Sequence, residues 1–305
     1  MCLRRCPYAL PYACSWWLDI VSPGWYGLVE RSGDEYQAVF PIPVKKKFGM
    51  HLVRQPLFGH QMGLFRADKE APDPEEIRYL TDVTCRHFRY VDSLALYGTA
   101  ELDLPCPSRQ QTNYLLDLCQ PYESIVAGYA GNRRREITQA GKAGIEVREC
   151  YDPGQMLQVF QQYIAPGIYG IDGSEYEMFR ALFQKWQAMG CVTVYESVQD
   201  GEWLAGAAIL RWGHRLIYIF NASTPEGKAV DALSFLIDRV IHKHAASETP
   251  LFFDFEAPAS DSVLDYYRRF GGNRELYQKV SQNRLPKQVR MLQALRKAWV
   301  QRSKR

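Results

Sequence analysis

Residues 144–149 (GIEVRE) alternate apolar and charged side chains, the period of a half-buried strand. The period then lengthens to about 3.6. Met156, Leu157, Phe160 and Ile164 share one face of residues 153–165, and Met178, Leu182, Phe183 and Trp186 share one face of 174–189. Strand patterns return at 192–198, 203–211 and 215–221. Gln199-Asp200-Gly201 turns the first into the second, because Asp-Gly favours positive φ, and Gly213 marks the next turn. Residues 225–244 predict a helix that buries Ala229, Leu233, Leu236, Ile237 and Val240. The nearly continuous apolar run 251–255 predicts a strand buried on both faces. A helix over 260–270 follows, stopped by Gly271-Gly272, and then a strand over 275–280. A meander that leads through a crossover onto a parallel strand predicts an α/β fold with a mixed sheet and helices on both faces.

The first half repeats the later part of that order. A hairpin is predicted from 25–30 and 35–44 around Gly33-Asp34, with a strand at 50–54, a helix at 74–88 and strands at 93–96 and 114–118. Only residues 1–20 precede the hairpin, where a full copy would place a strand and two helices. The expected organisation is an abbreviated domain over 1–120, a linking helix over 121–143, a complete domain over 144–283 and an amphipathic tail helix within 284–305.

Composition narrows the reading. No run of about 18 apolar residues occurs, so no integral membrane segment is expected. Pro7, Pro11 and Asp19 interrupt the apolar stretch behind Arg4 and Arg5, which argues against a secretory signal and for the cytoplasm. The eight cysteines form no C-x-x-C pair, so reduced thiols and no metal site are expected. Eight of the 37 Lys and Arg lie in residues 284–305, which contain no acid. The remaining 29 face 34 acids, so the body is mildly acidic and the tail is basic. A basic tail suits an RNA or anionic lipid, or is simply a solvated terminal helix.

The stretches WWLDIVSPGWYGLVE, EYQAVFPIPVKKKFGMHLVRQPLFGHQMGLF, NYLLDLCQPYESIVAGYAGNRRREITQAGKAGIEV and FDFEAPASDSVLDYYRRFGG resemble the FemAB-like proteins, bacterial members of the acetyltransferase (GNAT) superfamily with tandem GNAT-type domains. The resemblance implies two GNAT-like domains, the first abbreviated, and transfer of an acyl group to an amine. It implies no permanently bound cofactor. The donor substrate would be an acyl-CoA or an aminoacyl-tRNA, the latter reached through the basic tail and used on a cell-wall precursor. A small-molecule amine acceptor would lie between the domains. The helical-hairpin arm that many tRNA-dependent members insert is absent, since residues 165–175 form only a short Gly-rich connection. A non-catalytic binding module on the same scaffold stays open, as does the oligomeric state.

Chemistry is expected at strand ends and helix starts. Asp254 and Glu256 stand where the 251–255 strand ends, and open α/β sheets hold ligands at such ends. Either carboxylate suits a general base, Glu256 as the more accessible, or one of them caps a helix or pairs with an arginine. Tyr267 suits a proton donor to the leaving group or a packed core position. Ser223, Thr224, Gly227 and Lys228 open the 225–244 helix, where a GNAT enzyme cradles the donor's pyrophosphate with a Gln/Arg-x-x-Gly-x-Gly/Ala loop. Only Gly227 of that loop is present; Pro225 removes a donor and Glu226 repels phosphate. Arg54, Gln55, His60, Arg133, Tyr218 and Asn221 are the expected acceptor contacts. Arg133 interrupts the apolar row Ile125, Tyr129, Ile137, which fits either a ligand anion or a structural ion pair. His60 equally fits a satisfied structural histidine.

Overall fold

The structure, a computed structural model, describes residues 2–47, 49–167, 173–257 and 260–291. The chain divides into two compact units, Met1–Gln111 with the segment from Tyr277 onward, and Thr112–Leu276.

The first unit opens with α1 (Cys2–Arg5) and α2 (Ser15–Val21). The predicted hairpin is β1 (Tyr26–Ser32) and β2 (Glu35–Ile42), with Gly33 at φ +59° in its turn. Next come β3 (Val44–Lys47), β4 (Met50–Arg54) and the short β5 (Phe65–Arg66), which closes a three-stranded sheet in the order β1-β2-β5. In α3 (Pro74–His87), Asp73 accepts hydrogen bonds from the N–H groups of Glu75 and Glu76, and Pro74 takes the first helical position. β6 (Tyr90–Leu96) then returns parallel to β4. Cys85 and Cys106 form a disulfide, which corrects the expectation of reduced thiols throughout. Their separation of 21 residues carried no signal, because the partners meet only after the end of α3 turns back.

The second unit carries β7 (Ser108–Asp117) from Thr112 onward, α4 (Tyr122–Ala127), α5 (Gly131–Lys142) and β8 (Glu146–Cys150). The expected linking helix is therefore two helices. At their junction Ala130 N–H binds the Arg269 carbonyl (2.9 Å), and a Cβ on Gly271 would come within 2.6 Å of the Gly128 oxygen. Tertiary contact at two glycines breaks the helix. After α6 (Gly154–Val159) comes a π-helical turn (Phe160–Ile164), then α7 (Gly173–Ala188). The meander is β9 (Val192–Gln199), β10 (Glu202–Trp212) and β11 (Arg215–Ser223). The predicted 225–244 helix is also two, α8 (Pro225–Ala229) and α9 (Ala232–His244), parted at Asp231, whose φ is +56°. β12 (Phe252–Asp254), α10 (Asp261–Arg268) and β13 (Asn273–Asn283) finish the order.

This unit's strands run β7-β12-β11-β10-β9-β8, antiparallel except for the parallel pair β11–β12. Its main core joins Leu216, Tyr218, Phe253 and Phe255 of the sheet side to Ile125, Ile137, Leu236, Ile237, Tyr267 and Phe270 from the helices. Phe220 packs separately against Phe160 and Phe179. In the first unit β13 pairs antiparallel with β6. The tail is helical over residues 287–291; the rest of the expected amphipathic helix and basic tail lies outside the described residues.

Candidate functional site

β11 and β12 are paired at only three positions, Arg215↔Phe252, Leu216↔Phe253 and Ile217↔Asp254. The pairing with β12 ends there, while β11 runs on through Tyr218–Ser223. The parting coincides with a bulge. Against β10, Ala208 faces Phe220 and Ile209 faces Tyr218, so Ile219 is the extra residue. A bulge bends its strand and re-aims the side chains on either side. Tyr218 therefore faces the core containing Phe253 and Tyr267, whereas Phe220 faces Phe160 and Phe179. The Tyr218 hydroxyl is buried and has no hydrogen-bond partner among the described residues, and burial pushes its pKa well up.

The loop beyond β12 is built by side chains that the sequence reading passed over. Asn113 on β7 is fully buried. Its amide donates to Asp254 Oδ1 (2.7 Å) and to Glu275 Oε2 (3.1 Å), and its oxygen accepts from the Ala257 N–H (2.9 Å). Asp254 Oδ1 also accepts from the Glu256 N–H (3.0 Å). Arg215 donates to Asp254 Oδ2 (2.7 Å) and to Glu275 Oε1 (2.7 Å). Asp254 thus takes the arginine-paired alternative, and its carboxylate holds the loop. Glu256 sits in that loop at φ +47° and is half-buried. An L-residue pays for this conformation. β12 stops at Asp254, so Glu256 lies beyond the strand. Tyr267 is buried between Tyr218 (ring centroids 5.9 Å) and Phe255 (5.1 Å). Burial first, then the charges of Tyr266 and Glu256, raise its pKa, so it is a core side chain that keeps its proton.

At α8 three of the four expected phosphate contacts are otherwise engaged, Lys228 keeping its side chain at the surface. Thr224 Oγ1 accepts from the Gly227 N–H (2.9 Å), while the Thr224 N–H binds the Leu204 carbonyl (2.9 Å) and the Lys228 N–H binds the Thr224 carbonyl (3.0 Å). Pro225 has no N–H, so among the described residues Glu226 alone keeps an unpaired one in this turn. Ser223 is buried and donates to the carbonyls of Leu204 and Thr224. Gly227 is required by packing: a Cβ there would lie 2.2 Å from the Leu204 oxygen. Lys228 is exposed, and Asn221 is half-buried on β11 opposite Ala207. The residues fit a capped, tightly docked turn better than a diphosphate cradle.

Arg133 is fully buried. Its guanidinium donates to Ser234 and to the Tyr266 carbonyl (3.2 Å), pairs with Glu136 (2.9 Å) and stacks over Tyr266 and Phe270. These are the contacts of a structural arginine. In the first unit β4 and β6 are parallel at only Val53↔Val91 and Arg54↔Asp92 before they part, as β11 and β12 do. Here the chain fills the gap. Gln55 accepts from the Ala95 N–H (3.0 Å) and donates to the Gly59 carbonyl, and Met62 bridges to β6 through Ala95 and Tyr97. His60 Nε2 meets the Tyr277 hydroxyl (3.2 Å), and Arg54 lies 3.6 Å from Asp92 at the surface. Gln55 and His60 brace the fold. The structure therefore brings together Asp254, Glu256, Tyr267 and Tyr218, while Arg54, Gln55 and His60 belong to the other unit. Arg215 was the legible signal that was missed: a lone cation opening an apolar strand needs a buried acid.

Comparison with known proteins follows this geometry. Residues 129–283 match the family model of the acetyltransferase (GNAT) domain, about half of the chain. The chain resembles the crystal structure of FemX with a TM-score of 0.61 at 10% identity, over 91% of this chain and 94% of that one. A conserved protein of unknown function from Bacteroides thetaiotaomicron gives 0.55 at 8% identity, over 88% of each chain. The C-terminal domain of an Agrobacterium fabrum protein described as a lysylphosphatidylglycerol synthetase gives 0.52 at 12% identity, over 85% and 84%. These likenesses are of fold. No curated protein matches the sequence.

Proposed function

Since the chain belongs to the acetyltransferase (GNAT) domain family, we propose that it transfers an acyl group from an acyl-CoA-type thioester to an amine at the parting of β11 and β12. The supporting observation is the parting of β11 from β12 after Ile217, with the half-buried Glu256 in the loop that follows β12. An acyl-pantetheine arm carries amides, and amides pair with strand backbone where two strands part, as another strand does. The amine attacks the thioester carbonyl, the C–S bond breaks, and the proton shed by the nitrogen goes to the Glu256 carboxylate. Tyr267 keeps its proton and offers the departing sulfur a hydrogen bond. Full transfer to a thiolate, whose conjugate acid titrates near 8.5, runs uphill from so weak an acid. Direct transfer needs no covalent enzyme intermediate, because alignment of amine and acyl carbon supplies much of the rate. The test is thermal stabilisation by a panel of acyl-CoAs, followed by CoA-thiol release with an amine panel. A donor at 100 times its Kd adds about 2.7 kcal/mol of stability. No shift with any acyl-CoA counts against the proposal.

A second reading takes aminoacyl-tRNA as donor. It is favoured by the α8 turn, where, among the described residues, Glu226 alone has a spare N–H for a diphosphate. The basic residues of 284–305 would then contact RNA. Removing residues 286–305 should weaken tRNA binding and flatten its salt dependence. Unchanged binding and slope rule this donor out.

A further inference from the structure

A second hollow lies in the same unit, away from the strand parting. It measures about 330 Å³ and opens between α4, α5 and α9. Val126, Ile137 and Phe235 supply apolar walls. At its floor Asp238 is fully buried. The Tyr122 hydroxyl donates to both Asp238 oxygens (2.9 Å each), and Arg239 pairs with Asp238 and donates to the Tyr122 oxygen (2.8 Å). These groups satisfy one another. Tyr129 differs: it lines the hollow, is almost wholly buried, and its hydroxyl, though it feels Asp238, makes no hydrogen bond of ordinary geometry among the described residues. A buried hydroxyl with nothing to bond costs stability, so native proteins keep few of them. Arg134 also lines the hollow and spends one N–H on the Ala127 carbonyl (3.1 Å). With Asp238 cancelling Arg239, Arg134 leaves the lining with one net positive charge.

We propose that this hollow is a binding site for a small carboxylate with an apolar, ring-sized body. Tyr129 and Arg134 would donate to the carboxylate, while Phe235, Val126 and Ile137 enclose the body. Burial and the charge of Asp238 raise the pKa of both Tyr122 and Tyr129, so both phenols remain donors. The volume is ordinary for a ligand pocket and holds a compound of about ten non-hydrogen atoms. A cationic ligand would meet Arg134 and find no unpaired acid, and a wholly apolar one would leave Tyr129 unsatisfied.

The experiment uses the full chain with phenylacetate as probe and benzylamine as its cationic counterpart, by calorimetry and ligand-detected NMR. Ten well-placed atoms give a dissociation constant of about 1–10 mM or tighter. Tyr129→Phe removes only the unpaired hydroxyl and leaves the packing in place. It should weaken phenylacetate about tenfold, and Arg134→Met by a similar factor. Benzylamine should show no saturable binding. The proposal is overturned if phenylacetate does not saturate, if Tyr129→Phe binds it as the parent does, or if benzylamine binds as well. A misfolded Arg134→Met leaves Tyr129→Phe to decide.

Discussion

Glu256→Gly tests whether the chain keeps this side chain against its own stability. Glu256 holds φ at +47°, a left-handed conformation that costs an L-residue about 1–2 kcal/mol. Glycine removes that cost and adds about 0.4–1 kcal/mol of unfolded-state entropy. The backbone bond from the residue 256 N–H to Asp254 does not depend on the side chain. The net expectation is a gain of about 0–1.5 kcal/mol. Glu256→Gln keeps the strain and loses the charge, so its stability should match the parent. Both variants should lose CoA-thiol release, and urea unfolding measures the stability difference. If Glu256→Gly is weaker by more than about 1 kcal/mol, the carboxylate is structural and the strain argument fails. If Glu256→Gln turns over normally, the base is elsewhere.

Gly227→Ala places a Cβ 2.2 Å from the Leu204 oxygen and should cost about 1–3 kcal/mol in urea unfolding without any donor present; an unaltered midpoint would mean the glycine serves the donor instead. Arg215→Met leaves Asp254 and Glu275 without their cation and should cost about 3–5 kcal/mol, a loss that wild-type-like unfolding would refute. Lys279 has its pKa lowered by burial and then by Arg109, so the unfolded chain holds more protons there just below pH 10.5. Stability should therefore climb as pH rises toward 10.5. Lys279→Met should remove that climb and add about 1 kcal/mol at neutral pH, and parallel stability curves for the two proteins would contradict it.

The second unit was legible because its elements carry their own periods. Residues 192–223 are apolar strand-length runs parted by turn residues, Asp200-Gly201 adopts positive φ at the predicted turn, and Gly271 ends its helix at φ +74°. What escaped is set by partners distant in sequence. The parting of β11 from β12 depends on where Phe252–Asp254 stops pairing, and the bulge at Ile219 on register against β10. The breaks at 128–130 and 230–231 fall inside good helical patterns, the first imposed by packing against Gly271. The role of Asp254 depended on Arg215, Asn113 and Glu275, which come from three other strands. Periodicity reports which face a side chain takes. It does not report which charge waits there.

The gap that Gln55 and Met62 fill beside β6 has a stoichiometric meaning. If the donor sits at strand partings, the chain has the architecture twice and the seat once. Donor titration should then saturate at one equivalent per polypeptide, and the first unit answers to folding rather than to turnover.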